Sequence, residues 1–252
     1  MRKPKLLILA GTKAARQLVE LLVTKTSFDI TASLAGVTKQ PKPLAAPTRI
    51  GGFGGAEGLA SYLRENKIDA VIDATHPYAA QITANAVQAC ALCDIHLIQF
   101  QRSEWQSVLE DNWHFVSDLE HALSLIPEDK RVFFAASTKV AAPLALRPDL
   151  TYLIRSIEPP APRDRLSNAI YVCGLPTAHW QDEAKLMQDH QIDWVISKNS
   201  GGTASYSKIH AARELGLPVA MLKRPKYSVR RAIGTSQEVL SVLRQHFTTA
   251  LS

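Results

Sequence analysis

Apolar positions along this chain alternate between two patterns. Leu6-Leu7-Ile8-Leu9-Ala10 is a continuous apolar run, as in a strand buried on both faces, and it ends in Gly11-Thr12. A helical spacing follows through Leu18, Leu21 and Leu22, with Thr12 as a natural N-cap. Phe28 to Leu34 predicts a second strand, ending in Ala35-Gly36. The stretch holding Pro41, Pro43 and Pro47 predicts loop. Gly58 to Asn66 predicts a helix, Ala70 to Asp73 a strand, Tyr78 to Cys93 an Ala-rich helix, and Ile95 to Phe100 a strand. Strands alternating with helices in this way predict a parallel, doubly wound sheet.

The second half repeats the theme. Strands are predicted over 131–135, 151–155, 194–197 and 218–222, and helices over 178–190, 205–215 and 237–247. Glu158 to Arg165, with three prolines, reads as loop. The expected class is α/β: two Rossmann-like domains with parallel sheets and a ligand cleft between them. The boundary is placed near 127–130, giving domains 1–128 and 129–252. A single extended sheet is the alternative.

Composition narrows the picture little. The chain has 252 residues, 46% hydrophobic and 21% charged, as in an ordinary globular protein. No apolar stretch approaches a membrane span. Leu6 to Ala10 is too short for the apolar region of a signal peptide, so a cytoplasmic protein is expected, with no membrane partner. Cys90 and Cys93 form a C-x-x-C spacing near the end of a helical pattern, where no helix N-terminus would stabilise a thiolate. Buried structural thiols are expected, and no metal site is. The net charge is +6, and the densest basic run is 223–231. That run belongs to no nucleic-acid module, so nucleic acid is the least favoured partner, and a solvated loop and a site for a polyanionic small molecule are the other readings.

Candidate chemistry lies in three glycine-containing turns. Gly51-Gly52-Phe53-Gly54-Gly55 cannot be a regular helix or a good strand, and it allows a flat or phosphorylated ligand close to the backbone. Asp73-Ala74-Thr75-His76-Pro77-Tyr78 follows an apolar strand at its carboxyl end, the edge where α/β proteins bind ligands. Either motif alone also reads as a surface loop or an ordinary helix cap; in one βαβ context they point to a site. Gly11-Thr12 is a strand-to-helix turn able to present N–H groups to phosphate, although it lacks G-x-G-x-x-G. In the second half Lys198-Asn199-Ser200-Gly201-Gly202 is suited to an anion, or is a plain helix-start turn. No G-x-S-x-G or Walker A motif is present.

These segments together resemble the precorrin-6A reductase family, which acts on either precorrin-6A or its cobalt form. The resemblance rests on Leu9-Ala10-Gly11-Thr12, Ser33-Leu34-Ala35-Gly36, Arg49-Ile50 with the GGFGG loop, and the Asp73 to Ala79 segment. It continues through Arg102 with Trp105, Lys198 to Gly202, Lys208 with Ala211-Ala212, and Arg224-Pro225, over nearly the whole chain. It implies an NADPH- or NADH-dependent reductase that transfers a hydride to a carbon–carbon double bond of a tetrapyrrole, in cobalamin biosynthesis. A different nucleotide-binding enzyme, such as a sugar-nucleotide transferase, and a non-catalytic dinucleotide sensor are the rivals.

The resemblance also implies site residues. Gly11, Thr12, Gly36, Thr38, Lys39, the loop Gly51, Gly52, Phe53, Gly54 and Gly55, and Asp73, Thr75 and His76 are expected to bind cofactor. His76 is also the candidate proton donor. Arg49, Tyr78, Ser137, Thr138, Lys198, Asn199, Ser200, Gly201, Gly202, Lys208 and Arg224 are expected on the carboxylate-rich substrate. Two positions depart from the family pattern: Ala14 stands where Glu is frequent, and Val37 where Arg commonly follows the second strand. Val37 cannot pair with a 2′-phosphate, which leaves Lys39 or acceptance of NADH.

Overall fold

The computed structural model describes residues 2–36, 42–136, 142–157, 160–203, 205–225 and 232–247. Thr38, Lys39, Ser137 and Thr138, with Val37, lie outside the described residues. The chain begins with β1 (Lys5–Leu9), α1 (Lys13–Lys25), β2 (Asp29–Leu34), β3 (Thr48–Ile50), α2 (Gly55–Glu65), β4 (Ala70–Asp73), α3 (Ala80–Cys93) and β5 (His96–Phe100). Next come β6 (Trp113–Val116), α4 (Leu119–Ser124), β7 (Arg131–Ala135), β8 (Thr151–Ser156), β9 (Ala169–Cys173), α5 (Trp180–Asp189), β10 (Trp194–Lys198), α6 (Ser207–Glu214) and β11 (Val219–Leu222). The last elements are β12 (Ala232–Ile233) and α7 (Ser236–His246).

Two parallel sheets result, each of six strands, in the orders β12-β5-β4-β1-β2-β3 and β6-β11-β10-β7-β8-β9. The chain divides into two compact units, residues 1–102 with 225–252, and residues 103–224. This differs from the expected linear partition at 128. The reason is strand pairing. β6 joins β11 in the second sheet, in register from Trp113↔Val219 to Val116↔Leu222. β12 returns to the first sheet beside β5, through Ala232↔Gln99 and Ile233↔Phe100. α7 follows it, and its Val239, Leu240 and Leu243 enter the first core.

Each sheet is covered on both faces, and the alternation of side chains along a strand explains why its apolar runs are continuous. In β1, Leu6 and Ile8 pack with Leu18, Leu22 and α7, while Leu7 and Leu9 pack with Leu59, Leu63 and Ala86 on the opposite face. Thr12 caps α1 by accepting the Ala15 N–H at 3.0 Å. In the second unit Phe133, Val195, Val219 and Met221 pack against Met187, Ile209 and Ala212 of α5 and α6. Among the described residues, no helix is long and apolar enough to cross a membrane.

Candidate functional site

The first unit brings its motifs to one edge. β4, β1, β2 and β3 are successive parallel neighbours, so Ala74 to His76, Gly11-Thr12, Gly36 and Gly51 to Gly55 follow the carboxyl ends of four adjacent strands. After β3 the chain crosses β1 and β2 to continue as β4, on the other side of β1. The switch point therefore falls between β1 and β4, where open α/β sheets take ligands. The Thr12 hydroxyl spans it, donating to the Ala74 carbonyl at 3.2 Å.

The glycine loop has the form of a cradle. Gly51, Gly54 and Gly55 hold φ of 118°, 81° and 89°, and Gly54 is the N-cap of α2, with no side-chain capping bond. A Cβ added at Gly51, Gly52, Gly54 or Gly55 would meet nothing within 4 Å. Packing among the described residues therefore leaves that space open. Gly58 is different: a Cβ there would lie 1.8 Å from the Phe53 carbonyl oxygen, so this glycine lets α2 seat beneath the loop. The N–H groups of Gly52 and Phe53 meet no acceptor among the described residues. Backbone donors above a helix N-terminus suit an anion such as a pyrophosphate.

Arg49, expected on the substrate, faces the loop. Its Nη1 donates to the Ser33 hydroxyl at 2.9 Å and the Gly51 carbonyl at 2.8 Å, and its Nη2 donates to the Gly52 carbonyl at 3.0 Å. The guanidinium lies 3.8 Å from the centroid of the Phe53 ring.

Asp73 is turned inward. Its Oδ1 accepts from the Thr75 N–H and hydroxyl, at 3.1 and 2.6 Å, and its Oδ2 from the buried Thr83 hydroxyl at 2.6 Å. It is 2% exposed, so it shapes the turn over 74–76 and does not offer its carboxylate to a ligand. Sequence reasoning missed Thr83; a polar residue on the buried face of the Ala-rich α3 was the available signal. His76 Nδ1 accepts the Tyr78 N–H at 3.3 Å, which leaves the proton of a neutral ring on Nε2. The His76 and Tyr78 rings are tilted, with centroids 5.8 Å apart.

In the second unit the switch point lies between β7 and β10, and Lys198 to Gly202 follow β10 there. Lys198 is half-buried, and burial pushes its pKa below the ordinary lysine value. Asn199 is 2% exposed and bonds both ways with the backbone of Trp105: its Oδ1 accepts from N at 2.8 Å, and its Nδ2 donates to O at 3.0 Å. The Trp105 indole donates to the Gly202 carbonyl at 2.7 Å. Gly201 has φ of 66°, and a Cβ there would stand 2.2 Å from the Ser103 carbonyl oxygen. The close approach of the chain at 103–105 therefore explains this glycine. Ser200 is 8% exposed, and its N–H donates to the Lys198 carbonyl at 2.8 Å.

Two cations expected on the substrate are used internally. Arg224 donates to the Asn199 carbonyl at 2.8 Å and faces Glu104 at 3.8 Å. Lys208 is 3% exposed, and its ammonium donates to the Ser205 carbonyl at 2.8 Å. Burial pushes its pKa down to about 7, partly offset by Glu183, while Arg155 lowers it further. An unfolded chain holds this proton up to the ordinary lysine value, and the folded chain releases it near neutrality. Between those limits the unfolded state binds more protons, so stability rises with pH from about 7 to 10.5. Lys208→Met is expected to flatten that rise, measured as the difference in urea unfolding free energy between the two proteins across this range.

Cys90 is buried and its thiol is pushed up to about 12, as for an inert structural cysteine. Cys93 is half-buried and donates to the Ala60 carbonyl at 3.5 Å. Among the described residues no group of three or more His, Cys, Asp or Glu could hold a metal ion.

Comparison with known proteins adds family information. A family model described as precorrin-6x reductase CbiJ/CobK matches residues 5–244. A precorrin-6A reductase of Sinorhizobium sp is 39% identical over 242 residues, 96% of this chain and 93% of that protein. The precorrin-6A reductase of Rhodobacter capsulatus is 38% identical over 246 residues, covering 97% and 98%. A solved structure of CobK precorrin-6A reductase, 38% identical, superposes with a TM-score of 0.91 over 96% of this chain and 97% of that one.

Proposed function

The chain belongs to the precorrin-6x reductase family, and from that premise we propose that it reduces precorrin-6A to the 6B form with a hydride from NADPH or NADH, in cobalamin biosynthesis. Membership in a family of oxidoreductases sets aside the transferase and the non-catalytic sensor. The observation that carries the cofactor reading is the cradle at residues 51–55, with open Cβ space and backbone N–H groups that meet no acceptor among the described residues. Gly11, Gly36 and the glycine loop hold the dinucleotide in this reading, with the N-termini of α1 and α2 facing its phosphates. Thr75 and His76, at the end of β4, stand toward the nicotinamide. The second unit binds the tetrapyrrole, and a cytoplasmic location fits the same reading.

When bound, the reduced nicotinamide supplies the hydride. The protein supplies position and a proton. Saturating a carbon–carbon double bond needs a proton on the carbon beside the one that takes the hydride. His76 delivers one as the imidazolium, since a neutral ring that gave up its Nε2 proton would be left as imidazolate; protonation at Nδ1 releases the Tyr78 N–H bond that orients the neutral ring. Metal-free precorrin-6A is the favoured substrate, because the relatives described above carry that name. Turnover of precorrin-6A and of its cobalt form, each with NADH and with NADPH, tests the reading; no turnover of either form overturns it.

Lys198 is the proposed contact to a substrate carboxylate, since it follows β10 at the edge and precedes the turn at 199–202. Lys198→Ala is expected to raise the KM for the tetrapyrrole about tenfold, roughly 1.4 kcal/mol. Its Kd for NAD(P)H should stay within a factor of two by isothermal titration. A large loss of cofactor affinity would move Lys198 to the dinucleotide.

A further inference from the structure

We infer that Arg49 is a positioning residue, which fixes the direction of the N–H groups in the glycine loop and does not itself touch the tetrapyrrole. The inference rests on the reading that this loop holds the cofactor. Its ground is peptide geometry. No peptide bond among the described residues is cis, and in a trans peptide the C=O of one residue is antiparallel to the N–H of the next. Arg49 takes the carbonyls of Gly51 and Gly52 at 2.8 and 3.0 Å. The N–H groups of Gly52 and Phe53 therefore point away from the guanidinium. These are the same two donors that meet no acceptor among the described residues.

The arrangement needs a guanidinium for three reasons. Glycine peptides rotate with little steric resistance, so a loop this rich in glycine would otherwise turn its carbonyl oxygens toward an anion as readily as its N–H groups. A planar fork reaches two successive carbonyls and the Ser33 hydroxyl at once, which a single ammonium cannot. Its flat face also lies 3.8 Å from the centroid of Phe53, the residue whose N–H is being aimed. Register places the group: Arg49 pairs with Ser33, and Ser33 with Leu9, across the carboxyl ends of β3, β2 and β1. The guanidinium thus sits on the side of the sheet that α2 covers, with Phe53 and Tyr62.

The test uses Arg49→Lys and Arg49→Ala in the full chain, with Gly52→Val as a reference. The Kd values for NADPH and NADH are expected to rise together by tenfold or more in both arginine variants. The KM for the tetrapyrrole at saturating cofactor should be unchanged. Lysine should fail to rescue although it restores the charge, and amide exchange of residues 51–53 should quicken in both variants. Arg49→Lys keeps the comparison open if the alanine variant folds poorly. Loss of NADPH affinity alone, with NADH unaffected, would make Arg49 a direct reader of the 2′-phosphate and overturn the inference. A rise only in the tetrapyrrole KM would return it to the substrate and also overturn the inference. Unchanged cofactor affinity in the arginine variants, with Gly52→Val impaired, defeats the role of Arg49 alone. Normal cofactor binding by Gly52→Val defeats the reading of the loop.

Discussion

Gly52→Val is expected to bind NADPH and NADH about a hundredfold more weakly than the parent protein, about 2.7 kcal/mol, while its melting temperature stays within a few degrees. Both halves of this expectation come from the same geometry. Gly52 is not among the glycines with positive φ, and a Cβ there meets nothing within 4 Å, so a folded chain accepts the side chain. The space that the isopropyl group fills is the space proposed for the pyrophosphate. Gly54 is a poorer probe, because its φ of 81° would strain valine whatever the ligand. Gly58→Ala makes the contrast. Its Cβ would overlap the Phe53 carbonyl at 1.8 Å, so both stability and cofactor binding should fall. Isothermal titration with cofactor, together with thermal unfolding, separates the two cases. Full affinity in folded Gly52→Val would remove the glycine loop from the site.

Glu183→Ala should destabilise the second unit by about 3–5 kcal/mol. The Glu183 side chain is wholly buried and the Arg155 side chain is 11% exposed. Arg155 Nη1 donates to both carboxylate oxygens at 2.8 and 2.7 Å, and the Thr177 N–H donates to Oε1 at 3.1 Å. The same carboxylate raises the pKa of buried Lys208. Removing it leaves a nearly buried guanidinium uncompensated and makes protonation of the lysine harder. All four tryptophans, Trp105, Trp113, Trp180 and Trp194, belong to residues 103–224, so their fluorescence follows this unit alone during urea unfolding. A loss below about 1 kcal/mol would mean that the pair contributes little beyond its own desolvation. Affinity for the dinucleotide should be preserved, since the first unit has its own cores.

Elements with long, unbroken signals were legible in the sequence. β1, β4 and β11 are buried runs of four or five apolar-dominated residues, and β1 shows why: both of its faces are covered, so every position is selected for apolar character. The amphipathic α1 and α7 were equally plain. The edge strands were not. β3, β6 and β12 span only two to four residues, and β9, although apolar throughout, holds only exposed and partly buried positions. The pairing of β12 with β5 joins residues more than a hundred positions apart. No local pattern records such a partner, and the boundary expected near 128 missed the exchange of elements for that reason.

At the candidate site, the sequence by itself placed Gly11-Thr12, the Asp73 to Tyr78 segment and the turn after β10 at strand ends, whereas β3, the strand before the Gly51 to Gly55 loop, came only from the tertiary structure. Residue type and strand polarity suffice for the first three, because glycine, proline and cap residues act over a few neighbouring positions. Only the tertiary structure decided which way the polar side chains turn. Arg49 faces the loop carbonyls, Asp73 faces Thr75 and Thr83, and Lys208 is buried against Ser205. Gly51 and Gly201 look alike in sequence, yet one borders open space and the other the Ser103 carbonyl. A charged or flexible residue satisfies itself with whatever partner folding brings within about 3 Å, and that partner is usually remote in the chain.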